Sequence, residues 1–162
     1  ICTSLLALPE IGEARCVAAF ASLPGEPDIW PVIEALAARG CVVLLPRVAS
    51  ARTLEWGTYS DRGSLASSTW GILAPTGRTD RQLSEADVLV IPAVAVDPDT
   101  GVRIGYGGGF FDAALAEVPM LSEGGPTRVS AMFDDEVISG LPAQAWDARV
   151  DCVVTPTRAL WI

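Results

Sequence analysis

A run of glycines between an arginine and an aspartate is the segment of this sequence best suited to chemistry. The segment is Arg103-Ile-Gly-Tyr-Gly-Gly-Gly-Phe-Phe-Asp112, with four glycines in five positions. Glycine permits positive φ and close approach of a ligand, and consecutive amides in such a turn can form an anion-binding nest. Arginine offers a planar positive fork for phosphate, and aspartate can bind a hard cation such as Mg²⁺. The segment predicts a phosphate loop with its metal; a glycine-rich surface turn, the alternative, would need fewer glycines.

The loop matches neither of the two common phosphate-binding motifs. A P-loop ends in Gly-Lys-Ser/Thr, and the sequence contains no lysine. The dinucleotide motif G-x-G-x-x-G could start at Gly105 and Gly107, but its last position is Phe110. The sequence also lacks histidine, which excludes a Ser-His-Asp triad and histidine-ligated zinc. A phosphate site of a less common kind therefore remains.

Composition narrows the class of protein further. The sequence has 162 residues, 50% of them hydrophobic, which suits one globular domain. Its net charge of −9 and scattered arginines argue against nucleic-acid binding. No apolar run reaches the ~18 residues of a membrane span. The four cysteines form no C-x-x-C pair, so we expect reduced thiols in a cytoplasmic protein.

Strand-like segments alternate with helix-like segments and must position the loop. Apolar runs predict strands over residues 15–20, 41–45, 53–59, 87–91, 127–133 and 152–155, with the second and fourth ended by Pro46 and Pro92. Helical spacing predicts the end of a helix over 1–8, a helix over 28–39 followed by Gly40, and a helix over 109–116. This order indicates a mainly parallel sheet covered on both faces. Ligands of such sheets bind at the carboxyl ends of the strands.

Other polar or aromatic residues have two interpretations each. Glu26 lies in a loop before the predicted helix and could face a ligand or act as a cap or dipole partner at the start of that helix. Asp28 is better explained as a cap of that helix. Trp70 could belong to the core or form an aromatic wall for a planar ligand, with core packing the commoner case. Arg47 could face the ligand crevice, although a surface position is slightly favoured.

Several segments together resemble one known family. Asp87-Val-Leu-Val-Ile-Pro-Ala-Val-Ala-Val-Asp97, followed by residues 101–112, is similar to the signature of the 5-formyltetrahydrofolate cyclo-ligases, also called methenyltetrahydrofolate synthetases. Phe20-Ala-Ser-Leu-Pro-Gly-Glu26 resembles the family's folate-contacting loop, and the segment from Asp147 to Thr155 resembles its C-terminal signature. The resemblance covers nearly the whole chain.

The resemblance implies a fold and a reaction. The fold would be a three-layer α/β/α sandwich around a mainly parallel sheet, in one domain over residues 1–162. The reaction would be ATP- and Mg²⁺-dependent cyclisation of 5-formyltetrahydrofolate, with or without a polyglutamate tail, to 5,10-methenyltetrahydrofolate. Catalytic roles would fall to Arg103 and Tyr106, and the Mg²⁺ ligands would be Asp112 and Asp147.

The implied ligand contacts overlap in the glycine loop, which would separate the two substrates. ATP would contact Arg103, Ile104, Gly105, Tyr106, Gly107, Gly108, Gly109, Phe110 and Phe111. The folate would contact Ala21, Glu26, Trp70, Tyr106, Gly107, Gly108, Gly109 and Phe110.

The family also carries a basic N-terminal segment that meets ATP, and the abrupt start at Ile1 predicts that this chain lacks it. Poor ATP affinity would follow. The alternative function is therefore a non-catalytic nucleotide- or folate-binding protein of the same fold. A sugar-phosphate isomerase or acyl-CoA transferase is a further alternative, but it would leave the arginine–glycine–aspartate loop unexplained. A monomer is expected.

Overall fold

A seven-stranded sheet forms the centre of the protein. A computed structural model describes residues 1–50, 52–68 and 71–162. The strands are β1 (Cys16–Ala18), β2 (Val42–Ser50), β3 (Thr53–Tyr59), β4 (Leu65–Ser67), β5 (Leu73–Pro75), β6 (Val88–Val90), β7 (Ala95–Val96), β8 (Arg103–Ile104), β9 (Thr127–Ala131), β10 (Cys152–Val154) and β11 (Ala159–Trp161). The helices are α1 (Cys2–Leu6), α2 (Pro9–Glu13), α3 (Trp30–Ala38) and α4 (Phe110–Leu115).

The order of the strands across the sheet is β11-β10-β9-β6-β1-β2-β3. The five inner strands are parallel, and the two outer strands, β11 and β3, run antiparallel to their neighbours. The prediction of a mainly parallel sheet in a single α/β domain is therefore confirmed. Two short hairpins, β4–β5 and β7–β8, lie outside this sheet.

Side chains of the inner strands are buried on both faces of the sheet. Val17 and Val88 point to the face covered by α1, α2 and α3. Leu44 and Leu89 point to the opposite face, where they share a core with Leu115 of α4 and with the β7–β8 hairpin. Successive strand residues face opposite sides, so burial on both sides gives the apolar runs seen in the sequence. The two cores produce the three predicted layers.

Helix α3 forms where the sequence predicted it, with slightly narrower bounds. Its apolar residues Val32, Ile33 and Leu36 are buried. The amide of Gly40 donates to the Ala37 carbonyl, and the amide of Cys41 donates to the Leu36 carbonyl. These two hydrogen bonds form a Schellman motif. It ends the helix and turns the chain into β2.

Asp28 has the capping role that the sequence favoured. Its Oδ1 accepts the amide of Trp30, the first residue of α3, at 3.0 Å. Asp28 lies just before Ile29, the N-cap residue of the helix. One of the amide groups left without a partner at a helix start is thereby satisfied.

The prediction that Pro46 ends a strand is wrong, because β2 continues to Ser50. Strand β1 pairs with β2 only as far as Leu44, so among the described strands β2 is hydrogen-bonded at Pro46 to β3 alone, where Pro46 lies opposite Trp56. A proline is tolerated in a strand where one side has no neighbour to receive its missing N–H. The predicted strand set was also incomplete, since it lacked β11 and both hairpins.

No helix among the described residues has the length and apolarity needed to cross a lipid bilayer.

Candidate active site

The candidate site lies where the strand order reverses. From β1 the chain crosses through α3 to β2 on one side, while β6 lies on the other side of β1. Segments leaving neighbouring strands diverge at such a point and open a crevice at their carboxyl ends. Phe20 follows β1 and Pro92 follows β6, and both line the cavity found there.

The cavity has a volume of about 410 Å³, which is in the range of small-molecule sites. Its lining combines an apolar majority with a few charged groups. It is lined by Phe20, Ala21, Leu23, Glu26, Pro46, Val48, Leu54, Ser68, Ile72, Pro92, Arg103, Gly105, Tyr106, Gly108, Gly109, Phe110, Phe111 and Asp112.

Most of the predicted site residues meet in this cavity. Among the described residues, three predicted ones lie outside its lining: Ile104, Gly107 and Asp147. Trp70 lies outside the part of the chain that the structure describes. The cavity thus joins the predicted folate loop, represented by Ala21 and Glu26, to the glycine loop.

The glycine loop connects β8 to α4. Gly107 has a φ of +85° and Gly109 a φ of +66°, which is the left-handed region that costs other residues about 1–2 kcal/mol. Gly109 is the N-cap of α4, so the loop ends where the helix begins, as predicted. Phe111 follows in α4, and its ring meets Trp56 edge-on with a centroid distance of 6.2 Å. That contact fixes one wall of the cavity to β3.

Arg103 is a buried partner of Asp112. Its Nη2 donates to Asp112 Oδ1 at 2.7 Å, with side-chain exposures of 2% and 28%. Nη1 donates to the carbonyl of Pro92 at 3.4 Å, and Nε has no hydrogen-bond partner within the described residues. Burial lowers the pKa of the guanidinium, and the charge of Asp112 opposes that shift. Arginine nevertheless stays charged at neutral pH, so the cation forms a fixed wall of the cavity.

The segment that carries Asp147 contacts Asp112 although the two residues are far apart in sequence. The amide of Ala148 donates to Asp112 Oδ1 at 3.1 Å, and the Asp147 charge raises the Arg103 pKa. Asp147 Oδ2 accepts the Gln144 amide at 2.7 Å. In the described part of the chain, neither Asp112 Oδ2 nor Asp147 Oδ1 accepts a hydrogen bond. One oxygen of each carboxylate can therefore face a ligand.

Glu26 lines the same cavity as Asp112. Its Oε2 accepts the amide of Leu23 at 2.7 Å, so it closes its own loop and also lines the cavity. Its contact with a ligand stays a prediction. Tyr106 is 67% exposed, yet burial raises the pKa of its phenol, and the Glu26 carboxylate raises it further by charge and a hydrogen bond. The glycine loop thus contacts the predicted folate loop.

Arg47 takes the surface role. Its Nη1 donates to the carbonyl of Thr76 at 2.9 Å, while its neighbours Pro46 and Val48 line the cavity. Alternation along β2 explains this arrangement, because successive side chains point to opposite faces. Asp151 is also structural, since its Oδ2 accepts the Arg128 amide at 2.8 Å.

Sequence reasoning gave no site role to most of the apolar lining residues. These are Phe20, Leu23, Pro46, Val48, Leu54, Ile72 and Pro92, together with the polar Ser68. Several of them follow the ends of predicted strands, so position relative to the carboxyl edge was a usable signal. Ser68 and Ile72 belong to the β4–β5 hairpin region, which the sequence did not reveal.

The fold and the cavity define an α/β protein whose ligand site lies at the carboxyl edge of a mainly parallel sheet. A family model described as the 5-formyltetrahydrofolate cyclo-ligase family matches residues 1–156. The chain belongs to that family, whose members are ATP-dependent ligases of folate one-carbon metabolism.

Individual relatives agree with this assignment. The chain is 34% identical over 160 residues to the 5-formyltetrahydrofolate cyclo-ligase of Escherichia coli, covering 96% of this chain and 86% of the relative. It is 30% identical over 155 residues to the protein of that name from Mycolicibacterium smegmatis, covering 91% and 77%.

Solved structures show the same fold. The 5,10-methenyltetrahydrofolate synthetase of Aquifex aeolicus matches with a TM-score of 0.81 and 25% identity, over 98% of this chain and 77% of the other. The synthetase from Mycoplasma pneumoniae shares the fold at a TM-score of 0.67 and 16% identity, over 93% and 78%.

Proposed function

We propose that this protein uses ATP to cyclise 5-formyltetrahydrofolate to 5,10-methenyltetrahydrofolate, releasing ADP and phosphate. The observation that carries the proposal is the shared cavity, whose lining includes both the glycine loop and Glu26. A single space with an apolar lining for a planar ring and a phosphate-type loop beside it suits a reaction between a folate and a nucleotide. Membership of the family gives the identity of both substrates.

The formyl oxygen must become a leaving group before the ring can close. We propose that it attacks the γ-phosphorus of ATP, which breaks the bond to the β-phosphate oxygen and releases ADP. N10 of the folate then attacks the resulting imidate phosphate carbon, the C–O bond breaks with release of phosphate, and N10 loses its proton. Such phosphoryl transfers depend mainly on positioning and charge neutralisation, so a site without histidine or lysine can support them.

Residues of the glycine loop would align the two substrates. Gly105, Gly108 and Gly109 line the cavity, and their backbone can approach phosphate oxygens closely. The Arg103 guanidinium supports them with a fixed positive charge from behind the loop. Ile104, Gly107 and Phe111 complete the proposed ATP segment.

On the folate side, Glu26 would accept hydrogen bonds from the pterin ring. Ala21 and Phe110 would pack against the ring, and Trp70 is the proposed aromatic wall. Tyr106 would contact both substrates because it lies at the tip of the loop near Glu26. The apolar lining would keep water away from the activated formyl group.

Asp112 and Asp147 fit a Mg²⁺ ion. No group of three or more acidic, cysteine or histidine side chains capable of holding a metal occurs among the described residues. Mg²⁺ needs no such group, because it commonly binds one or two carboxylates together with substrate phosphates and water. Each aspartate has an oxygen available for it, as described above. When bound, the ion would neutralise charge on the transferring phosphoryl group.

A direct absorbance assay tests the proposal. The protein is mixed with ATP, Mg²⁺ and 5-formyltetrahydrofolate, and the near-ultraviolet absorbance of the methenyl product is followed while single components are omitted. We expect product only in the complete mixture. Calorimetric binding of ATP or folate without product would instead support the non-catalytic alternative.

We further propose a cytoplasmic monomer. Cys2, Cys16, Cys41 and Cys152 are all free thiols, which suits a reducing compartment. Size-exclusion chromatography with light scattering measures the mass directly, and a dimer would contradict the second part.

A further inference from the structure

A segment that we call the 138–150 loop, comprising those residues, carries Asp147 and is attached near both ends to the turn between β7 and β8. Near its start, the Ile138 amide donates to the Val96 carbonyl at 2.9 Å. At its end, the Val150 amide donates to the Gly101 carbonyl at 2.9 Å. The loop therefore depends on residues 96–101 for its position.

Asp97 is the centre of this attachment. Its side chain is almost entirely buried, and Oδ2 accepts the amides of Gly140 and Leu141 at 2.8 and 3.2 Å. Oδ1 accepts the amide of Asp99 at 2.8 Å, within the β7–β8 turn. One carboxylate thus joins the turn to the 138–150 loop. Its hydrogen bond from Asp99, supported by those from the loop, lowers the pKa of Asp97.

Both segments that Asp97 joins lead to the proposed metal ligands. The β7–β8 turn continues into β8, where Arg103 begins and binds Asp112. The 138–150 loop carries Asp147, and its Ala148 amide binds the same carboxylate, Asp112. Asp97 itself is not among the residues that line the cavity. A buried charge is costly unless it is hydrogen-bonded. The hydrogen bonds of Asp97 hold together the two segments that lead to Asp112 and Asp147.

We propose that Asp97 is a positioning residue for the metal, which fixes the 138–150 loop so that Asp147 stands beside Asp112. This inference rests on the proposed function, in which those two aspartates hold Mg²⁺. Outer residues that orient metal ligands commonly contribute 10–100-fold to metal affinity. Mg²⁺ is also strict about ligand geometry, so a displaced Asp147 weakens binding.

The variant Asp97→Asn tests the inference. It retains the size of the side chain but replaces one acceptor oxygen by an NH₂ group, so either the two loop amides or the Asp99 amide loses its acceptor and the link between turn and loop is broken in both cases. We expect the Mg²⁺ concentration for half-maximal activity to rise about tenfold, with the KM for the folate unchanged. Electron paramagnetic resonance of Mn²⁺ with ADP gives a readout without turnover, and we expect a similar loss of bound Mn²⁺.

Asp134→Asn is the matched control. Asp134 Oδ1 also accepts two hydrogen bonds, from the hydroxyls of Thr155 and Thr157 at 2.6 Å each. These contacts hold the turn before β11 and do not involve the 138–150 loop. We expect this variant to lose stability while its Mg²⁺ and Mn²⁺ constants stay at the wild-type values.

A folded Asp97→Asn protein with wild-type metal constants, or with equal increases in the Mg²⁺ constant and the folate KM, would overturn the inference.

If Asp97→Asn does not fold, Arg149→Ala is the second test of the inference. Arg149 Nη1 donates to the Thr100 carbonyl at 3.0 Å, at the other end of the loop. We expect a roughly two- to fivefold rise in the Mg²⁺ constant, below the range for direct orienting residues, and no change would overturn the inference. If the wild-type protein forms no product, that result contradicts the proposed function and not the role of Asp97.

Discussion

Nη2 of Arg103 lies 2.7 Å from Oδ1 of Asp112, so the two residues that bracket the glycine loop form an ion pair at its base. The pair is asymmetric, because the arginine side chain is buried and the aspartate is partly open to the cavity. Asp112 thus has two roles. It neutralises a buried cation and offers its second oxygen to a metal.

These two roles can be separated by two substitutions of Asp112. Asp112→Ala leaves the buried Arg103 charge uncompensated and should lower the free energy of unfolding by about 3–5 kcal/mol. Asp112→Asn keeps an oxygen acceptor for Arg103 and Ala148 and should cost about 1–2 kcal/mol. Both should lose Mg²⁺-dependent turnover. Urea unfolding and the absorbance assay measure the two effects.

Glu34→Ala is the control for that comparison. Glu34 pairs with Arg62 at 2.7 Å, but both side chains are about half exposed, and exposed pairs contribute at most about 1 kcal/mol. Equal stability losses for the two Asp112 variants would contradict the role assigned to the buried pair.

Alanine at two of the loop glycines should impair ATP binding. Gly107→Ala and Gly109→Ala force positive φ on a residue with a Cβ, at a cost of about 1–2 kcal/mol each. The strain should reshape the loop and raise the KM for ATP. Gly12→Ala in α2 is the matched control. A Cβ added at Gly12 lies 4.0 Å from the Leu6 carbonyl oxygen, and alanine stabilises a helix relative to glycine by about 1 kcal/mol. An unchanged KM for ATP in both loop variants would remove the glycine loop from the phosphate site.

Local patterns in the sequence were sufficient for the main elements. The apolar spacing of α3 and the glycine after it predicted a helix that the structure contains, because both signals act within one or two turns. The buried run that became β6 was equally clear. Strands of only two residues, such as β7 and β8, carry too little periodicity to be seen.

Contacts between residues far apart in the sequence limited how much of the site could be predicted. Asp112 and the Ala148 amide are 36 residues apart, and no local pattern reports that they meet. The contact of Arg103 with phosphates stays a prediction, and its bonds to Asp112 and to the Pro92 carbonyl were not predicted from the sequence. Pro46 misled the strand prediction because the number of strand neighbours at that point depends on the whole sheet.

The contact between Tyr106 and Glu26 predicts a measurable shift in ionisation. A nearby carboxylate disfavours a tyrosinate, so Glu26→Gln should lower the pKa of Tyr106 toward its ordinary value of about 10. The chain has two tyrosines, and Tyr59→Phe leaves Tyr106 as the only one. Ultraviolet titration in that background measures the pKa with and without Glu26→Gln. An unchanged value would show that the two side chains do not interact in solution.

The cysteines should differ sharply in reactivity. Burial raises the pKa of Cys152 to about 11 and also raises those of Cys16 and Cys41. Only the thiolate reacts, so all three should resist iodoacetamide near neutral pH. Cys2 is partly exposed and should be modified first in the folded protein. Mass spectrometry of labelled peptides locates the modification, and equal labelling of all four would contradict the burial described here.

The most direct test of the account follows the formyl oxygen. 5-Formyltetrahydrofolate labelled with ¹⁸O in the formyl group is turned over with unlabelled ATP in unlabelled water, and the released phosphate is analysed by mass spectrometry. Phosphorylation of the formyl oxygen predicts one ¹⁸O atom in each phosphate formed, in step with the methenyl product. Unlabelled phosphate released alongside that product would contradict the central claim that ATP phosphorylates the formyl oxygen of the folate.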